Sequence, residues 1–358
     1  MTATTVGSAR ERAEIVIGLA ACVAVAAVAR LIGSALQLGL ETALALVLGL
    51  IVGAAASIRP RLIPGATLAS RYALRIGITL LGARLTIGQL LTTGAASIVG
   101  IVLVIGVALT LGTWLARRIG VVPPLSALIT VGMAICGNSA ILALSPIVGA
   151  KHRDTAYAVS TITIFGLIGV LLLPLLGRSL HMSDPVFGTW AGLAVNDTAQ
   201  VVATGYAFSP GAGDVATIVK LTRNLAILPV LLGATWFVAR SAASTDDTVA
   251  SGPATSRIAL VSRAVPWFVV GFVVVAGLRS VGLLDVPLPG GGTLADLCST
   301  LAALLILVAL AGVGMATDVR SLSAVGRRPF LLAAVLWVVI GLLGLLVATT
   351  IGGLAGPV

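Results

Sequence analysis

Asp197 lies inside an apolar run, Gly-Leu-Ala-Val-Asn-Asp-Thr-Ala-Gln-Val-Val-Ala at 192–203, with Asn196, Thr198 and Gln200 around it. An earlier polar island, Gly-Met-Ala-Ile-Cys-Gly-Asn-Ser-Ala-Ile-Leu-Ala at 132–143, centres on Asn138 and Ser139, and both islands run on to a Ser-Pro pair, Ser145-Pro146 and Ser209-Pro210. In a hydrocarbon layer such groups lose water that apolar neighbours cannot replace, so they persist where they bind a solute or one another. A carboxylate there can exchange a proton, ligate a cation or serve as counter-ion to a base. Amides and hydroxyls beside it can orient a solute without adding charge.

Lys220, Arg223 and Asn224 follow on one helical stretch, and positions three and four apart share a face. A guanidinium fork beside an ammonium point charge suits an oxyanion. Each group also has a structural reading. Asn138 and Ser139 could simply tie neighbouring helices together, and Asp197 could pair with Lys220. Lys220 and Arg223 could also snorkel to an interface.

The elements that position these residues follow from composition. The 358-residue chain is 58% hydrophobic and 9% charged, against about 25% charged in a soluble domain. Its mean hydropathy of +1.15 and its recurring apolar runs predict an all-α polytopic membrane protein. Aromatic residues make up only 4% while glycines number 42, a balance that suits closely packed transmembrane helices. The net charge of +10 comes from arginines in short loops rather than along one face, which argues against a nucleic-acid partner. Cys22, Cys136 and Cys298 are scattered, and His152 and His181 lack partners at ligand spacing, so no disulfide framework, metal site or cofactor is expected.

Candidate membrane segments are 15–33, 42–56, 72–90, 95–116, 125–147, 155–177, 187–206, 215–239, 264–281, 294–316 and 329–352. They follow a polar cytoplasmic N-terminus, 1–14. All of 15–358 reads as one transmembrane domain with a flexible cytoplasmic loop at 240–263. Arg10 and Arg12, Arg59 and Arg61, and Arg117 and Arg118 alternate with cation-poor connections and place the N-terminus inside. Segment 125–147 then meets a conflict, because Lys151 and Arg153 follow it and Arg117 and Arg118 precede it. A re-entrant hairpin turning near Gly137, Asn138 and Ser139 resolves this, with 187–206 as a second hairpin from the other side. Two discontinuous crossing helices are the alternative, and either way about nine transmembrane helices accompany two broken segments. The C-terminus then falls on the periplasmic or extracellular side. Trp190 and Tyr206 read as interfacial aromatics, and Arg84 as a residue of the pathway or the interface.

The chain also echoes itself. Asn138 precedes the Pro174 of Leu-Leu-Pro-Leu-Leu-Gly by 36 residues, and Asn196 precedes the Pro229 of Leu-Pro-Val-Leu-Leu-Gly by 33. Gly82-Ala-Arg-Leu-Thr-Ile-Gly-Gln-Leu90 likewise resembles Gly314-Met-Ala-Thr-Asp-Val-Arg-Ser-Leu322, each ahead of a long apolar helix. Matched pairs of opposite direction predict inverted-topology repeats, an architecture that places a solute site near the bilayer midplane.

At Cys136-Gly-Asn-Ser-Ala-Ile141, Val195-Asn-Asp-Thr-Ala-Gln200 and Lys220-Leu-Thr-Arg-Asn224, the chain resembles the sulfate exporter family of bacterial inner-membrane proteins. The resemblance runs from Gly77-Ile-Thr-Leu-Leu-Gly82 to Gly314 and beyond. It implies a secondary carrier that exports a small anion such as sulfate. The joint expectation is alternating access without enzymatic chemistry. Asn138, Ser139, Asn196, Asp197, Thr198, Gln200, Lys220, Arg223 and Asn224 would bind substrate, and Asp197 would couple a proton. The bilayer and the anion are the expected partners, with a homo-oligomer left open. A carrier of an organic sulfonate or carboxylate coupled to a cation is the alternative. A membrane enzyme would need a nucleophile or a carboxylate cluster, and a channel would need a filter-like ring.

Overall fold

A computed structural model describes residues 9–36, 41–55, 59–243, 267–289, 291–317 and 326–351. The described elements are helical, apart from an isolated bridge between Pro287 and Thr293. The chain divides into two compact units, residues 1–87 with 206–209 and 271–319, and residues 88–205 with 210–270 and 320–358.

The first unit holds α1 (Ala9–Leu36), α2 (Glu41–Ala54), α3 (Arg59–Leu68) and α4 (Leu74–Leu81). Later in the chain come α13 (Trp267–Ser280), which enters the unit at residue 271, and α14 (Leu294–Ala316). A π-turn over Ala69–Ala73 joins α3 to α4 without ending the helix, and a 3₁₀ turn at Gly82–Arg84 closes it. The expected segment 72–90 is therefore corrected: one helical run extends over 59–84, and Leu85 and Thr86 separate it from the next helix. Arg59 and Arg61 suggested a loop, yet a proline at the second position of a helix is tolerated because its missing N–H has no partner there. Small residues let backbones touch here; a Cβ on Gly18 would lie 2.8 Å from the Gly65 Cα. Arg84 is exposed, with its guanidinium 5.7 Å from the centre of the Tyr206 ring.

The second unit carries both polar islands, and each segment predicted to break does so. Segment 125–147 is α6 (Pro123–Ala134), a turn at 135–137 and α7 (Asn138–Leu144), and 187–206 is α9 (Asp184–Ala194) followed by α10 (Thr198–Phe208). Around them lie α5 (Ile87–Ile119), α8 (His152–Ser179), α11 (Pro210–Leu225), α12 (Ile227–Ala243) and α15 (Arg327–Ile351).

Side-by-side contacts fix the direction of each arm. On α9 and α11, Asp184 meets Gly211, Gly188 meets Ala212 and Val215, and Gly192 meets Ala216 and Val219, so the two helices run parallel. The chain between them must come back, which makes α9–α10 a hairpin. Cβ atoms on Gly188 and Gly192 would lie 2.7 Å from side chains of Val215 and Val219, so only glycine permits this spacing.

The first hairpin is fixed the same way. Gly112 on α5 meets Thr130 on α6, while Gly100 meets Val347 and Gly120 meets Arg328, so α6 and α15 both run against α5. α8 runs with α15: Tyr157 lies near Gly326, and the Phe165 ring is 5.0 Å from Phe330 and 5.8 Å from Trp337. Hence α6 and α8 are parallel, and α7 returns between them.

α8, with 28 residues, is about 42 Å long, enough to cross a hydrocarbon core of about 30 Å. The 12 residues of α6 and 11 of α9 reach only about 18 and 16 Å, roughly half that depth. Among the described residues, six helices are long and apolar enough to cross a membrane: 11–35, 87–119, 152–179, 210–236, 294–316 and 327–350. The loop expected at 240–263 lies outside the described residues from 244 onward, and residues 9–14 of the expected polar terminus are helical.

The hairpin geometry predicts a labelling pattern. In a background lacking Cys22, Cys136 and Cys298, membrane-impermeant thiol reagents should reach Lys151→Cys and Arg118→Cys from one side and His181→Cys from the other. Labelling of Lys151→Cys and Arg118→Cys from opposite sides would restore the crossing-helix alternative.

Candidate functional site

The two hairpins approach from opposite ends of the second unit and their tips meet. In the first tip, Gly137 has a φ of +62°, a left-handed conformation that favours glycine, and its backbone lies against Asn196 of the second tip. Asn138 Nδ2 donates to Asp197 Oδ2 at 3.3 Å. The Asp197 carboxylate also caps α10, where its Oδ1 accepts the Ala199 N–H at 3.0 Å. The two polar islands of the sequence therefore touch.

Each tip ends a half-helix whose last carbonyls have no further turn to bond. In the first, Ile135 N–H and Gly137 N–H reach back to Val131 O and Gly132 O, which leaves the carbonyls of Met133, Ala134 and Ile135. In the second, Val195 N–H reaches Ala191 O. Two side chains of α11 supply the missing donors. Arg223 Nη2 donates to Met133 O at 2.8 Å and Ala134 O at 2.9 Å, and Nε donates to Ala134 O at 3.1 Å. Its Nη1 reaches Leu193 O at 2.7 Å, Val195 O at 3.3 Å and Gly192 O at 3.4 Å.

Lys220 Nζ donates to Ile135 O at 2.8 Å, to Val195 O at 3.2 Å and to Asn196 O. Both side chains are fully buried, so neither snorkels to an interface. The ammonium's three donors go to carbonyls, and its link to Asp197 runs through the neighbouring Asn196 carbonyl rather than through a direct pair. Helix C-termini carry partial negative charge, so the two cations complement the ends they bridge.

The remaining polar side chains surround this clamp. Asn224 Nδ2 faces Thr198 Oγ1 at 3.4 Å. Gln200 Nε2 donates to Thr163 O on α8 at 3.0 Å, and Asn196 Nδ2 contacts Met133 Sδ at 3.0 Å. The carboxamide oxygens of Asn138, Asn196, Gln200 and Asn224 are buried without a hydrogen-bond partner among the described residues. Ser139 is exposed and Asn138, Asp197 and Thr198 are partly exposed, while Asn196, Gln200, Lys220, Arg223 and Asn224 are buried. The site thus has an accessible polar lip backed by a buried cationic clamp.

Trp190 corrects the sequence reading. It was expected among the interfacial aromatics, yet it is only 4% exposed and its Nε1 donates to Gly341 O at 2.8 Å. An indole can be buried when its N–H finds an acceptor, and that acceptor lies far away in sequence. Thr163 and Met133 touch the site but gave no signal, because a backbone carbonyl and a thioether look like any other apolar position.

This arrangement of long apolar helices and half-length hairpins defines a polytopic helical membrane protein. The chain belongs to the family described as conserved hypothetical protein 698, whose model matches residues 17–333. It is 33% identical over 312 residues to a UPF0324 membrane protein of Clostridium tetani, covering 86% of this chain and 88% of that one. It is 33% identical over 341 residues to the UPF0324 membrane protein PA5383 of Pseudomonas aeruginosa, covering 90% and 91%. The UPF0324 inner membrane protein YeiH of Salmonella typhimurium is 34% identical over 307 residues, covering 83% and 82%. No solved structure matches the chain.

Removing the clamp should unfold the tips before it affects anything else. Arg223→Met leaves the carbonyls of Met133, Ala134 and Leu193 without their donor, at a cost of about 1–3 kcal/mol for each buried group left unpaired. Thermal melts of the purified protein in detergent should show a marked loss of stability. A melting temperature equal to that of the wild type would contradict the clamp.

Proposed function

We propose that the protein is a secondary carrier that moves a small anion such as sulfate across the bacterial inner membrane by alternating access. The observation that carries this reading is the meeting of two half-length hairpins, each reaching about halfway through a bilayer. Non-helical backbone at that depth is tolerated only inside protein or beside a water-filled cavity, and broken helices of this kind form the solute sites of carriers. Paired hairpins of opposite direction also support an inverted repeat. The elements after each matched stretch, α5 and α15 in one pair and α8 and α11 in the other, run in opposite directions within the second unit.

An anion is favoured by charge. Two buried cations, Lys220 and Arg223, stand behind one carboxylate, Asp197, so the side chains at the tips carry a positive surplus. Asn138, Ser139, Asn196, Thr198, Gln200 and Asn224 would contact the solute or support those that do. Lys220 and Arg223 act mainly through their field, because their donors already serve carbonyls. Asp197 is the coupling residue: it takes up and releases a positive charge, a proton in the simplest scheme, as the carrier cycles. The distribution of basic loops supports an N-terminus in the cytoplasm and a C-terminus on the far side.

Labelled sulfate flux in proteoliposomes, with and without an imposed pH gradient, tests this reading. The wild type should show saturable flux that responds to the gradient. Asp197→Asn should lose that response while melting like the wild type. Gradient-driven flux that survives in Asp197→Asn would remove the carboxylate from coupling. Saturable uptake of organic sulfonates or carboxylates with none of sulfate would move the substrate to that class.

A further inference from the structure

We infer that Asp197, Asn138, Thr198 and Asn224 form a binding site for a hard monovalent cation, with sodium as the probe. This deepens the proposed carrier by naming the charge that its coupling carboxylate takes up. The four residues come from three elements, the start of α7, the start of α10 and the end of α11, and already touch in pairs. Asn138 Nδ2 lies 3.3 Å from Asp197 Oδ2, and Asn224 Nδ2 lies 3.4 Å from Thr198 Oγ1.

In both amides the oxygen has no hydrogen-bond partner among the described residues, and Asn224 is only 6% exposed. A proton carrier needs only the carboxylate. Two amide oxygens left without donors, once turned toward the carboxylate and the hydroxyl that their nitrogens now face, would instead give the all-oxygen set that hard cations select.

The spacing fits as well. Two oxygens at right angles on a cation with bonds of about 2.3–2.6 Å lie roughly 3.3–3.7 Å apart. A half-turn of either amide exchanges its nitrogen for its oxygen and costs only one long hydrogen bond. It would set Asn138 Oδ1 near the carboxylate and Asn224 Oδ1 near the hydroxyl at about that separation. Without a cation the Asn138 oxygen and the carboxylate repel, so that amide presents its N–H₂ group, while the Thr198 hydroxyl can accept from the Asn224 amide or donate to it. A bound cation reverses the preference.

One carboxylate close to Lys220 and Arg223 offers too little negative charge for a divalent ion, which leaves a monovalent one. The two basic side chains still give the tips the positive surplus that favours an anion, and the seven carbonyls they serve offset only part of their repulsion on the cation, so Asp197 must supply the rest of its attraction.

The test is thermal unfolding of the purified full-length protein in detergent, titrated with sodium chloride or choline chloride at matched ionic strength. Sodium should raise the melting temperature saturably and choline should not. Asp197→Asn should abolish the sodium effect, and Asn138→Ala and Thr198→Val should each weaken apparent affinity about tenfold. Should Asp197→Asn fail to fold, Thr198→Val and Asn138→Ala, which keep the carboxylate, carry the comparison. Equal shifts with sodium and choline, or an unchanged sodium response in all the variants that fold, would overturn the site. The assay needs neither transport nor an anion, so sodium binding without sulfate flux would remove the carrier's assigned substrate and leave the site standing. Sulfate flux without sodium binding would do the reverse.

Discussion

A helix that stops halfway through a bilayer leaves its last carbonyls without partners in a medium that supplies none. Two such ends meet in the second unit, and the structure depends on how they are satisfied. Arg223 and Lys220 lie on one face of α11 and between them serve the carbonyls of Met133, Ala134 and Ile135 from one end and Gly192, Leu193, Val195 and Asn196 from the other. The close parallel packing of α9 and α11 through Gly188 and Gly192 brings the two basic residues to that depth. Without the cations these carbonyls would lack donors, and without the glycines α11 could not pack closely enough against α9 to supply them.

This arrangement divides the work among the polar residues. The basic pair sits behind the tips and holds them together. The groups in front, Asn138, Ser139, Asp197 and Thr198, keep some exposure, and the Asn138 amide oxygen has no hydrogen-bond partner among the described residues. The side chains that serve the half-helix carbonyls, Lys220 and Arg223, are therefore different from those that keep some exposure.

Much of this was legible in the sequence, for identifiable reasons. Asp197, Asn138 and Gly137 announce broken helices because a carboxylate, an amide and a flexible backbone are costly in an apolar run. The basic flanks of 125–147 favoured a hairpin because cations stay on the cytoplasmic side, and the directions of α6 and α8 agree with that choice. Lys220 and Arg223 were legible as a shared face but not as a clamp. Their partners are main-chain carbonyls, present at every position and marked by no residue type. Trp190 was misplaced for a similar reason, since its acceptor is the Gly341 carbonyl. The helical run over 59–84 was cut short because arginines and a proline imitate a loop, although they sit in its first turn.

The central claim is that the two hairpin tips touch at mid-depth, and disulfide trapping in native membranes tests it most directly. With Cys22, Cys136 and Cys298 replaced, Asn138→Cys and Asp197→Cys should form an intramolecular bond under mild oxidation, detected by protease cleavage between them and mass spectrometry. If both cysteines react with small thiol reagents and do not cross-link, the tips do not meet, and the clamp and the sites built on it fall together.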